Sequence, residues 1–80
     1  MSSSEIQGKL AAIWADALGV ETVAAEQDFF ELGGDSVLVT IISLQVEELF
    51  DIVVDPALVF EHPTLGAFAA AVETLATQPA

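Results

Sequence analysis

One short stretch of the sequence holds residue types that suit covalent chemistry on a hydroxyl group. Ser36 follows the triplet Gly33-Gly34-Asp35, and a long apolar run begins directly after it. Glycines and an acid before such a run predict a turn and then a helix, with the serine in its first turn. Backbone N–H groups are unpaired there and the helix dipole favours negative charge, so a phosphate ester on the Ser36 oxygen would be stabilised. The glycines leave access for a bulky donor of that phosphate.

Two other interpretations of the same serine compete with this one. Serine is a common helix cap, so Ser36 could simply cap the helix while the two glycines form a turn. A hydrolytic triad would need Ser36, His62 and an acid. The sequence after Ser36 lacks the second glycine of a nucleophile elbow, and 80 residues leave little room for an oxyanion hole and a substrate pocket. We therefore interpret His62, which precedes Pro63, as a residue of the turn.

Four helices are predicted to position this stretch. Apolar spacing and end signals predict them over residues 4–18, 35–50, 57–60 and 65–75. Residues 20–35 lack a long periodic run and form a long loop between the first two helices. No strand pattern persists for a useful length. The sequence therefore predicts an all-α fold, a small four-helix bundle of three longer helices and one short third helix.

The second helix is predicted to present distinct sides. Projection at about 100° per residue gives a polar stripe of Ser36, Thr40, Ser43 and Glu47. The opposite side, with Leu38, Ile42 and Leu49, is expected to face the core. The core is also expected to include the aromatic residues Trp14, Phe29, Phe30, Phe60 and Phe68, with a partly exposed position on the first helix as the alternative for Trp14.

Composition excludes several classes of protein. The chain has no cysteine and a single histidine, so neither a disulfide framework nor a metal site is expected. Thirteen acids against one basic residue give a net charge of −12, which repels nucleic acid and anionic membranes and attracts basic protein surfaces. The sequence shows neither a signal peptide nor an apolar run of about 18 residues that could span a bilayer. We expect a soluble, cytoplasmic monomer.

Two motifs resemble those of one known family. Residues 29–36 read FFELGGDS, and residues 58–65 read LVFEHPTL. The first resembles the D-x-F-F-x-L-G-G-x-S modification site of the carrier proteins of nonribosomal peptide, polyketide and fatty acid synthesis, with Gln27 in place of the initial acid. The second resembles the short third helix and H-P-T segment of the same proteins. The resemblance covers about residues 5–75.

The resemblance implies a function and a cofactor. In this family the motif serine, here Ser36, receives 4′-phosphopantetheine from coenzyme A through a phosphopantetheinyl transferase. Gly33, Gly34 and Asp35 complete the modification motif. The terminal thiol then carries acyl or aminoacyl groups as thioesters to partner enzymes, and the carrier itself catalyses nothing. The implied partners are an adenylation or acyl-loading enzyme and condensation, tailoring or thioesterase enzymes.

The subfamily is predicted from a few positions. Gly33-Gly34 resembles peptidyl carriers, whereas Asp35 is shared with acyl carriers, so an acyl carrier of a polyketide or fatty acid pathway is the alternative. The acidic end of the second helix and the lack of nearby basic residues favour a discrete peptidyl-type carrier over a domain excised from a large synthase. Residues 1–80 are expected to form a single carrier domain, ordered over about 5–75, with a flexible tail at 76–80.

Partner docking is predicted on the second helix. Val37, Thr40 and Leu44 are expected to form a largely apolar patch beside Ser36. Asp35, Glu47 and Glu48 are expected to form an acidic rim that steers basic enzymes toward it. An unmodified acidic helical adaptor that binds basic proteins is the rival from another functional class, and a minimal serine hydrolase is the rival from the enzyme class.

Overall fold

Four α-helices make up most of the chain in the computed structural model, which describes residues 3–77. They are α1 (Ser3–Leu18), α2 (Ser36–Phe50), α3 (Ala57–Glu61) and α4 (Leu65–Thr77). Across residues 3–77 the β pairing is limited to an isolated antiparallel bridge between Asp28 and Thr64. The predicted all-α bundle with a short third helix and a long first loop is confirmed.

The helix ends follow local backbone chemistry. Gly19 adopts a φ of 71° directly after α1, in the left-handed region that glycine enters without a steric cost. The Asp55 carboxylate accepts a 2.8 Å hydrogen bond from the Ala57 N–H at the start of α3. The Thr64 hydroxyl accepts one of 3.4 Å from the Ala67 N–H in α4. These side chains satisfy N–H groups that a helix start leaves unpaired.

One hydrophobic core joins the helices. α1 packs against both α4 and α2, and α3 packs against α4. The core consists mainly of residues from the three long helices: Ile6, Leu10, Trp14, Val39, Ile42, Val46, Leu65, Phe68 and Val72. The loops and α3 add Val23, Phe29, Val54 and Val59. The first loop therefore packs into the domain instead of extending from it.

The rotation of α2 differs from the predicted one. Ser43, expected on the polar stripe, is only 2% exposed, whereas Leu49, expected in the core, is 46% exposed. Val39 and Val46 supply the core contacts together with Ile42, which was predicted correctly. α2 is apolar on nearly every side, so its periodicity does not select one buried face.

Two further expectations need correction. Phe60, predicted as core, is 54% exposed at the end of α3. α4 continues through Ala76 and Thr77, where the Thr77 hydroxyl donates to the Glu73 carbonyl at 2.9 Å, so the predicted tail is helical at these two positions. The rest of that tail, residues 78–80, lies outside the described residues. No helix within residues 3–77 has the length and apolar character needed to cross a membrane.

Backbone hydrogen bonds attach the first loop to the start of α4. The bonds run from Phe29 N–H to Pro63 C=O (2.8 Å), from Leu65 N–H to Gln27 C=O (3.1 Å) and from Gly66 N–H to Ala25 C=O (2.8 Å). The H-P-T segment at residues 62–64 therefore lies against the loop that leads to Ser36. Two motifs that are distant in the sequence form one structural unit.

Candidate functional site

Ser36 is the first residue of α2 and is exposed to solvent. Asp35 is the helix cap: its carboxylate accepts a 3.0 Å hydrogen bond from the Leu38 N–H, and its carbonyl accepts one of 2.9 Å from the Val39 N–H. The cap interpretation of Ser36 is therefore wrong, because the neighbouring aspartate has that role. The Ser36 hydroxyl is left available at the positive end of the helix dipole.

The two glycines before Asp35 are required by different constraints. Gly33 has a φ of 102°, a left-handed conformation that residues with a Cβ rarely adopt. Gly34 lies against Phe29: a Cβ at this position would overlap the Phe29 ring and come within 2.7 Å of its carbonyl oxygen. The Gly34 N–H donates to that same carbonyl at 3.0 Å. Contact with Phe29 thus fixes the backbone two residues before Ser36.

An aromatic row holds Phe29 in place. The rings follow one another in the order Phe68, Trp14, Phe29, Phe30 and Phe60, with centroid separations of 5.5, 5.0, 5.5 and 5.1 Å. Phe29 is fully buried and meets Trp14 edge-on, while Phe30 and Phe60 are stacked at 19°. The row extends from α4 through α1 and the first loop to α3, so the loop before Ser36 is fixed on both sides.

The side of α2 that points away from the core is unusually apolar. Val37 is 66% exposed, Leu44 56% and Ile41 41%, and Thr40 and Glu48 are exposed beside them. At 100° per residue these five positions fall within one face, which we call the outer face of α2. It begins one residue after Ser36. The sequence prediction missed Ile41, although its position four residues after Val37 could have identified it.

Glu47, also predicted as a docking residue, has a different environment. It is half-buried, and its carboxylate accepts a 3.2 Å hydrogen bond from the Val54 N–H in the segment that follows α2. The structure thus brings Val37, Thr40, Leu44 and Glu48 together on the outer face and turns Glu47 toward the backbone beyond the helix.

His62 terminates α3. Its N–H donates to the Leu58 carbonyl at 2.9 Å, and its side chain is half-buried beside Pro63. This position matches the predicted turn residue. Within residues 3–77, no group of three or more histidine or acidic side chains is arranged to hold a metal ion.

Comparison with known proteins identifies similar domains. The family model described as a phosphopantetheine attachment site matches residues 8–72. Gramicidin S synthase 2 from Brevibacillus brevis is 42% identical over 67 residues, which are 84% of this chain. The chain spans about 2% of that synthase's length.

Solved structures show the same architecture. BlmI, a type-II acyl carrier protein from Streptomyces verticillus involved in bleomycin biosynthesis, superimposes with a TM-score of 0.87 at 32% identity, covering 90% of this chain and 87% of BlmI. A second similar structure is a peptidyl carrier protein in complex with the phosphopantetheine transferase Sfp and coenzyme A. The TM-score is 0.82 at 30% identity, and the match covers 86% of this chain and 90% of the other.

Proposed function

This chain belongs to the phosphopantetheine attachment family of carrier domains, and from that membership we propose that Ser36 is the residue that receives 4′-phosphopantetheine. The observation that carries the proposal is an exposed hydroxyl on the first residue of α2, next to an aspartate that already caps the helix. Neither glycine adds a side chain to the loop that leads to that hydroxyl. The site therefore fits a phosphate ester at a helix N-terminus. When attached, phosphopantetheine supplies the thiol that carries acyl groups as thioesters.

The contribution of the chain to attachment is a fixed nucleophile. The Ser36 oxygen forms a bond to the coenzyme A phosphorus that bears the pantetheine. The bond from that phosphorus to the bridging oxygen breaks, and adenosine 3′,5′-bisphosphate leaves with the electron pair. The serine proton passes to a base of the transferase. The unpaired N–H groups of the first turn stabilise the negative phosphodiester that results.

We propose that the carried groups are aminoacyl or peptidyl. The similarity to gramicidin S synthase 2 and the Gly33-Gly34 pair support this class over fatty acyl groups. The partners then include a phosphopantetheinyl transferase, an adenylation enzyme that loads the thiol, and condensation, tailoring or thioesterase enzymes that use the loaded carrier.

Intact mass spectrometry tests the proposal. The protein is incubated with coenzyme A and a promiscuous phosphopantetheinyl transferase, and its mass is expected to increase by one phosphopantetheine. An unchanged mass under conditions that load a known carrier would refute it. In that case, labelling of Ser36 by a serine-reactive probe would indicate a hydrolase. A protein that is not labelled would fit the remaining alternative, the unmodified acidic adaptor.

We further propose that the outer face of α2 is the surface that these enzymes contact. Its apolar centre, Val37, Ile41 and Leu44, adjoins Ser36, and Asp35 and Glu48 flank it with negative charge. Apolar contact supplies affinity in a short-lived complex, while the surrounding acids raise the rate of association with basic enzymes.

Aspartate substitutions at Val37 or Leu44 should lower kcat/KM of the transferase by about tenfold or more, because each places an uncompensated charge in an apolar contact. Leu49→Asp is the matched control: Leu49 is exposed on the same helix but lies beside α1 residues Ala12 and Ile13. It should stay within about twofold of the parent, as single surface substitutions usually do. Equal rates for all three folded variants would contradict the docking proposal.

A further inference from the structure

The half-buried carboxylate of Glu47 makes a hydrogen bond within the domain. It accepts a 3.2 Å hydrogen bond from the N–H of Val54, whose side chain is buried in the core. A backbone N–H taken away from water needs a partner, and here a side chain seven residues earlier supplies it. The neighbouring Glu48 is exposed.

The backbone of Glu47 holds the same segment. Its carbonyl accepts the N–H of Asp51, which has a left-handed φ of 55°, and the N–H of Ile52 at 3.3 Å. Glu47 therefore bonds to three of the first four residues after α2 through two different oxygens. We call residues 51–56, between α2 and α3, the α2–α3 linker.

The α2–α3 linker determines where α3 lies. It enters α3 through Asp55, whose carboxylate bonds to the Ala57 N–H. α3 has only five residues and contributes Val59 to the core. Its exposed Phe60 stacks on Phe30, in the loop that leads to Ser36. A displacement of the linker would therefore reach the modification loop through this aromatic pair.

We propose that Glu47 is a positioning residue: its carboxylate oxygen acts as a hydrogen-bond acceptor that fixes the α2–α3 linker and α3. This role differs from the predicted one, a charge that steers basic partners. The inference rests on the proposed function, because transfer to Ser36 is the process that the positioned elements serve. An acceptor role requires an oxygen at this position and does not require a charge, so glutamine should replace Glu47 and alanine should not.

Four variants distinguish the loss of the acceptor oxygen from the loss of negative charge. They are Glu47→Gln, Glu47→Ala, Glu48→Gln and Glu48→Ala. The Gln and Ala variants at each position lose the same charge, and only the Gln variants keep an acceptor oxygen. The first readout is NMR amide exchange at Val54, which does not depend on modification. The second is kcat/KM of phosphopantetheinyl transfer at about 0.5 M salt, where charge steering is screened.

At position 47, alanine should speed Val54 amide exchange about tenfold relative to glutamine, because the N–H loses its partner. It should lower kcat/KM about three- to tenfold relative to glutamine, the effect of one lost hydrogen bond. At position 48 the two variants should agree within about twofold in Val54 exchange.

The inference is overturned if Glu47→Gln and Glu47→Ala behave alike in Val54 exchange, or if Glu47→Gln lowers kcat/KM as much as Glu47→Ala does. Failure of the parent protein to accept phosphopantetheine would refute the proposed function instead. The exchange measurement would still decide whether Glu47 holds the linker.

Discussion

Replacing Ser36 with alanine is expected to abolish the phosphopantetheine mass gain while leaving the fold intact. The reaction needs an oxygen nucleophile at this position, and alanine removes it. Ser36 is exposed and the helix cap belongs to Asp35, so no packing or capping interaction is lost. Alanine is also the best helix former. The free energy of unfolding should change by less than about 0.5 kcal/mol.

Ser43→Ala is the matched control for this substitution. Ser43 lies in the same helix, is 2% exposed, and its hydroxyl has no hydrogen-bond partner in the described part of the chain. Removal of an unpaired buried hydroxyl should leave modification complete and stability unchanged or higher. Intact mass and thermal melting measure both outcomes. A Ser36→Ala variant that still gains one phosphopantetheine would show that the acceptor lies elsewhere.

Gly34→Ala should cause the largest loss of stability among conservative substitutions in the modification motif. The added Cβ would overlap the ring of Phe29, which is fully buried against Trp14 and cannot move without disturbing the core. Overpacking of this kind costs about 2–3 kcal/mol. For a domain of this size, the melting temperature should fall by about 8–24 °C. Modification of Ser36 should slow as well, because the displaced backbone leads directly to Asp35.

Alanine substitutions at two other glycines distinguish the effect of steric overlap from the effect of backbone strain. Gly8 has no atom within 4 Å of a Cβ position and lies inside α1, so Gly8→Ala should stabilise the protein by about 0.5–1 kcal/mol. Gly33 has equal space but a φ of 102°, so Gly33→Ala should cost about 1–2 kcal/mol through strain alone. If Gly34→Ala has the same melting temperature as the parent protein, the close contact with Phe29 does not constrain the loop.

The helices and the candidate site could be predicted because their signals are local. Gly19 marks the end of α1, and Asp55 precedes the short α3. Asp35 and Ser36 mark the start of α2. Each signal depends on a few neighbouring residues and on the chemistry of helix ends. The same local pattern, together with the family resemblance, was sufficient to single out Ser36.

The rotation of α2 and the contacts of its acids could not be predicted in this way. Leu49 and Val46 are both apolar, yet Val46 is buried in the core and Leu49 is 46% exposed. Likewise, Glu47 and Glu48 are adjacent residues of the same type, yet it is the Glu47 carboxylate that accepts the hydrogen bond from the Val54 N–H. Such differences arise from tertiary structure, which a periodic pattern does not encode.

The backbone bonds between the first loop and residues 63–66 also determine when the site can exist during synthesis. Ser36 leaves the ribosome before Pro63, Leu65 and Gly66, which hold the loop, and at about 5–20 residues per second the delay is a few seconds. During that interval the nascent chain displays the serine on an unanchored loop. A transferase that recognises the folded loop must therefore wait for α4 to emerge. Under the proposed function, we expect a chain that ends before α4 to contain the serine but to be a poor substrate for such a transferase.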